Sequence, residues 1–202
     1  EIMGAYGIRI KQKQVPWNEA ASVPLIISYP SSKGLESRQI EMAVTTPDIS
    51  SSLLAMAGLK IPDSFEGVDL TKVLMGSKED SDHGALYMCV SPFAAVRKEI
   101  KKEYRAIKPS QYTYVKDIEG GWLLYDDLED PYQMNNLISS PEYADIQSDL
   151  ERRLMSELLR INDDFRPAES YISEWGFTIL DRGHIGYQSY DQKPQSPKKN
   201  VK

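Results

Sequence analysis

The sequence predicts an α/β fold class: a first α/β part, then a small α+β subdomain in which a four-stranded antiparallel sheet packs on one long helix. Three observations predict it. Between Ala85 and Tyr125, short apolar runs alternate with turn residues, the pattern of sequential antiparallel strands. From Tyr143 to Ile161, apolar residues recur at three- and four-residue steps, the period of a helix with one buried face. Ahead of both, two apolar runs and a well-capped helix follow one another.

The chain opens on a Gly-punctuated loop bearing cations, from Glu1 to Ser22. Val23-Pro24-Leu25-Ile26-Ile27 then reads as a buried strand closed by Tyr29-Pro30. Ser31-Ser32-Lys33-Gly34 is a turn, and Ile40 to Val44 a second short strand. Thr46-Pro47-Asp48 is a helix start, with Thr46 as the cap, Pro47 as the first helical residue and an acid in the first turn. Ile49, Leu53, Met56 and Ala57 fall on one face, and Gly58 stands where a left-handed residue ends a helix. Leu70, Val73 and Leu74 make a short amphipathic turn stopped by Gly76. The polar, acidic stretch from Ser77 to Asp82 marks a domain boundary.

Strands are expected over 85–90, 103–108, 111–117 and 122–125. Tyr112 and Tyr114 share one face of the third, Thr113 and Val115 the other. Glu119-Gly120-Gly121 is the hairpin turn before the fourth. Ser140-Pro141-Glu142 caps the long helix, whose stripe is Tyr143, Ile146, Leu150, Leu154, Leu158 and Ile161. From Arg166 the regular pattern stops; Tyr171 to Phe177 has enough apolar residues to dock, and 192–202 reads as a frayed tail.

Composition narrows the function. The 202 residues are 41% hydrophobic, which is globular, and the net charge of -6 argues against a nucleic-acid partner. No apolar run approaches the ~20 residues of a membrane span. The single cysteine, Cys89, excludes an intrachain disulfide and a cysteine metal cluster, and reads as a small core residue.

Several segments, in order, resemble the sulfatase family of the alkaline-phosphatase-like superfamily. Gly4, Gly7, Lys13-Gln14, Pro16-Trp17, Glu19 and Val23 to Ile27 follow its loop-and-strand pattern. Thr46 to Pro62 resembles a family helix, and Glu66-Gly67-Val68-Asp69-Leu70 a family turn, with Asp69 in place of serine. Tyr104 to Lys108, Leu124-Tyr125-Asp126, Asp130-Pro131 and Asn135-Asn136-Leu137 resemble its C-terminal subdomain. Asp127-Leu128 departs from the pattern, since the family places Leu before the acid. The resemblance covers residues 1 to about 160. It implies that residues 1–78 complete a larger alkaline-phosphatase-like α/β domain, that 83–165 form the C-terminal α+β subdomain, and that 166–202 are an extended tail.

The resemblance also implies chemistry. Lys13, four residues before Trp17, matches the lysine that contacts sulfate; Lys11 is the alternative register and Arg9 a further cation on the substrate side. Tyr6 stands where many relatives have a histidine. Trp17 is read either as a wall of the substrate pocket or as core packing. His184, between glycines, is read as a surface loop residue or as part of a tail folded back on the pocket. Ser81-Asp82-His83-Gly84 spells the family's metal-binding tetrapeptide but follows a polar stretch instead of a strand, so it reads as a turn. The family's calcium-like ion and its Cys/Ser-x-Pro-x-Arg nucleophile motif are expected before Glu1, so no catalytic or metal residue is assigned here. The expectation is therefore the C-terminal portion of an enzyme that hydrolyses sulfate esters, inactive alone, with a sulfated small molecule or carbohydrate as partner. By family habit the enzyme is periplasmic or secreted. A related phosphodiesterase or phosphonate monoester hydrolase, and a stand-alone non-catalytic binding module, are the alternatives.

Overall fold

The structure, a computed structural model, describes residues 14–29, 37–76, 83–92 and 102–178. Its centre is a four-stranded antiparallel meander in the order β1-β2-β3-β4. The strands are β1 (Ala85–Cys89), β2 (Tyr104–Lys108), β3 (Tyr112–Asp117) and β4 (Gly120–Asp126). Each of the four strands expected between Ala85 and Tyr125 is present. The β3–β4 turn is tighter than expected: Gly120 pairs with Asp117 and Gly121 with Lys116, so both glycines belong to the strand. The Asp117 carboxylate closes the turn by accepting from the backbone N–H groups of Glu119 (2.8 Å) and Gly120 (3.1 Å). The register then slips between Val115 and Lys116, a bulge that leaves Trp122 without a directly opposed residue.

Period-two alternation gives the sheet two working faces. Ile107, Tyr114 and Leu124 point to the first, where they meet Leu150, Leu154 and Leu158 of the long helix. In this chain a 3₁₀ turn at Pro141–Tyr143 leads into that helix, α4 (Ala144–Arg160). The stripe read from the sequence is the buried face, with Leu154 and Leu158 fully enclosed. Each such leucine contributes about 1.5–3 kcal/mol by leaving water. The Tyr114 hydroxyl donates to Glu151 (2.7 Å), and Lys116 pairs with the same carboxylate, so helix and sheet are also joined by polar contacts. Beyond α4, Arg105 is 1% exposed and pairs with Asp163, its guanidinium stacked on Phe165 at 4.5 Å. Residues 168–174 form a further short helix, α5 (Ala168–Glu174), within the stretch expected to be extended. Tyr171 of α5 is buried and donates to Asp163 (3.0 Å), which is why this segment docks.

The second sheet face holds Cys89, Tyr104, Ala106, Val115, Leu123 and Tyr125. Against it lies the chain around α1 (Asn18–Ala21), with Trp17 packed on the cluster.

The first part differs from expectation in three ways. Residues 23–29 and 40–44 form no strand, and Val23 (82% exposed) and Ile26 (90%) face solvent. A strand is completed by a neighbour's backbone, and the described residues offer these runs none. Helix α2 (Thr46–Met56) is capped by Thr45 instead of Thr46, which places Asp48 at the third helical position and closes a reciprocal capping box. Finally, the buried face of α2 is the polar row Asp48, Ser51 and Ser52, while Leu53 is 49% exposed. That row holds the 67–70 backbone. Asp48 accepts from Val68 N–H (2.8 Å), Ser51 donates to the Gly67 carbonyl (2.9 Å), and Ser52 accepts from Leu70 N–H (2.9 Å). A Cβ at Gly67 would lie 2.1 Å from the Pro47 carbonyl, so only glycine allows this approach. Leu70 leads into α3 (Thr71–Leu74), and Gly58 and Gly76 end α2 and α3 in left-handed conformations as expected. No helix among the described residues is long and apolar enough to cross a membrane.

Candidate functional site

The segment that follows Lys13 is gripped by the second sheet face. Val15 is 1% exposed and Pro16 is buried with it. The Tyr87 hydroxyl donates to the Pro16 carbonyl (2.8 Å). Burial pushes the Tyr87 phenol well above its usual range, so it remains a donor. Trp17 sets its ring edge-on to Trp122 at 6.1 Å and donates from Nε1 to the Tyr125 hydroxyl (3.1 Å).

One residue further on, the contact becomes a polar network. Asn18 N–H donates to Gln133 Oε1 (2.8 Å), and Asn18 Nδ2 donates to Asp127 Oδ1 (3.0 Å). Gln133 Nε2 donates to the same Oδ1 (2.8 Å). The other oxygen, Asp127 Oδ2, accepts from Thr113 (2.6 Å) and pairs with Lys108. Lys108 Nζ also donates to Thr113 Oγ1 (3.1 Å). The Asp127 side chain is 8% exposed, so both carboxylate oxygens are satisfied inside the protein. Gln133 reaches this place because its backbone is left-handed (φ 53°), which turns the side chain inward between the exposed Tyr132 and Met134.

Lys13, Lys11, Arg9, Tyr6 and His184 lie outside the described residues. Trp17 lies among them, and the structure places it in the packed aromatic cluster. His83 ties the stretch before β1 to α2: its Nε2 stands 3.1 Å from Asp48 Oδ2. Burial raises the Asp48 carboxyl, but hydrogen bonds from His83, Thr45 and the Val68 and Thr45 backbones outweigh it, and the group sits well below the usual carboxylate range. Cys89 is a buried core thiol pushed up to about 11, first by burial and then by Glu103. It lacks the character of a nucleophile.

The contacts that sequence reading missed are Asn18, Tyr87, Lys108, Thr113, Asp127 and Gln133. Only Asp127 carried a signal, as the acid standing where the pattern has Leu.

Among the described residues, no group of three or more His, Cys, Asp or Glu could hold a metal ion. The three aspartates of the 126–130 loop are engaged. Asp126 accepts from the N–H groups of Leu128 and Glu129, Asp130 accepts from that of Asn135, and Asp127 is held as above. These residues do not fit a resident calcium ion.

The described site is thus an antiparallel meander backed by a long helix, with residues 15–18 held on its other face. The chain belongs to the sulfatase family: residues 6–160 match the family described as N-sulphoglucosamine sulphohydrolase, C-terminal. An Ulvan-active sulfatase of Formosa agariphila is 37% identical over 179 residues, covering 89% of this chain and 35% of that protein. A Delta 4,5-hexuronate-2-O-sulfatase of Bacteroides thetaiotaomicron is 28% identical, covering 74% of this chain and 31% of that protein. A solved 2-O GAG sulfatase superposes with a TM-score of 0.49 at 26% identity, over 59% of this chain and 25% of that chain. The chain spans about a third of the length of the curated relatives it matches.

Proposed function

We propose that this chain is the C-terminal portion of a sulfuric ester hydrolase acting on sulfated carbohydrates, to which it contributes a substrate-contacting lysine, Lys13. The observation that carries the reading is the family match over residues 6–160, which includes the Lys13 segment. Among the related proteins, one is named for a hexuronate and another for N-acetylglucosamine, and a sulfated saccharide is the substrate class inferred here.

The role of Lys13 follows from electrostatics. An ammonium ~4 Å from a sulfate oxygen gains about 4 kcal/mol at an effective dielectric near 20. Its value is greatest where it meets charge that grows as the ester bond breaks. Arg9 and Lys11 are further cations of the same loop, and His184 is a further candidate from the tail. Residues 1–78 would complete the larger α/β domain. The nucleophile and the calcium ligands belong, on this reading, to sequence preceding residue 1; no step is derived through the ion. The enzyme would work in the periplasm or outside the cell, and the 202 residues alone would not turn over substrate.

The test is a substrate comparison with the longer polypeptide that carries this chain. Release of inorganic sulfate from sulfated mono- and oligosaccharides is expected, at rates well above phosphonate monoester and phosphodiester hydrolysis. Faster cleavage of the phosphorus esters would overturn the assignment.

A further inference from the structure

We propose that Asp127 is a positioning residue for Lys13: it fixes the 14–18 segment to the sheet and so holds the lysine at the sulfate-binding position. This rests on the reading of Lys13 given above. Four observations converge on Asp127. Its carboxylate is 8% exposed and takes four partners, two on each oxygen. One partner, Asn18, belongs to the clamped segment, five residues from Lys13. The other three, Lys108, Thr113 and Gln133, belong to the sheet and its following loop. Gln133 in turn accepts from the Asn18 backbone (2.8 Å), so main chain and side chain of Asn18 are both fixed by one unit.

The arrangement has the features of a support for a functional loop. A carboxylate shared among several donors polarises each bond and resists displacement. Lys108 and Thr113 lie on adjacent strands of the same face, so Asp127 cannot shift without disturbing both. The grip is directed: Tyr87, Tyr125 and Asp127 hold three consecutive residues, Pro16 to Asn18, from β1, from β4 and from the loop after it. Loss of placement by about 1 Å at a catalytic contact can cost on the order of a hundredfold in rate.

Leu is the natural substitution for a test, because the family pattern places Leu at this position. The kinetic constants for sulfate release are measured on the longer polypeptide with wild-type, Asp127→Leu, Lys13→Ala and the double variant. Asp127→Leu is expected to lower kcat/KM at least tenfold, and to have less than a twofold further effect when Lys13 is already alanine. That non-additivity separates positioning from general damage, which would add in both backgrounds. Asp127→Asn keeps a carbonyl acceptor for Asn18 and Gln133, and is expected within about threefold of wild type. Should Asp127→Leu fail to fold, Asn18→Ala removes only the partner on the segment and is expected to reproduce the loss and its dependence on Lys13. A large effect of Lys13→Ala with none from Asp127→Leu or Asn18→Ala overturns the positioning role alone. An additive double variant overturns it as well. No effect of Lys13→Ala overturns the reading of Lys13 beneath it.

Discussion

Single residues here act mainly by satisfying one another. Asp48 is the clearest case outside the candidate site. It closes the capping box of α2, accepts from Val68 N–H and pairs with His83. Its folded-state carboxyl is held below its ordinary value, so the folded state binds fewer protons than the unfolded state in the acid range. The stability it contributes is therefore present above the unfolded value near ~3.9 and is lost as pH falls below it. Acid unfolding followed by circular dichroism should show wild type losing its advantage over Asp48→Asn below about pH 4, with the two variants separated at pH 6. Equal stability at pH 6 would contradict this. Neither this residue nor Asp127 was legible as a hub in the sequence. Asp48 reaches Val68 and His83 across 20 and 35 positions, Asp127 reaches Asn18 across 109, and nothing local announces a contact over such separations.

At the scale of elements, what was legible is what a local pattern can encode. The four strands and the long helix follow from periods of two and 3.6 residues, which need no knowledge of distant chain. The stripe on α4 makes a prediction of its own. Leu154 is fully buried between Ile107, Tyr114 and Leu124, so Leu154→Ala should cost about 2–5 kcal/mol in urea unfolding. Leu159, five residues further along the same helix and 74% exposed, should tolerate alanine within about 0.5 kcal/mol. Comparable losses at both positions would mean the stripe is misassigned. The runs at 23–27 and 40–44 show the limit of the same reasoning. Their apolar composition reads as strand, yet a strand needs a hydrogen-bonding neighbour, and composition does not name one. Helix α2 shows another limit. Its apolar residues fall on one face, but the face that is buried is polar, because backbone at 67–70 needed donors and acceptors.

Over the whole molecule, the sheet acts as a plate between two loads. Helix α4 packs on one side and supplies stability. The segment around Trp17 packs on the other, where a network of named hydrogen bonds fixes it. The candidate site was thus legible as a motif but not as a mechanism. Lys13 and Trp17 stand at the family's spacing, while the apparatus that would hold them in place comes from β1, β2, β3 and the loop after β4. On the function proposed above, the sheet serves the parent enzyme by holding the segment that follows a substrate-contacting cation, Lys13. The most direct measurement is kcat/KM for sulfate release by the longer polypeptide, wild type against Lys13→Ala. The account predicts a fall of at least tenfold, about 1.4 kcal/mol of transition-state stabilisation, with the thermal midpoint unchanged. An unchanged kcat/KM would contradict it.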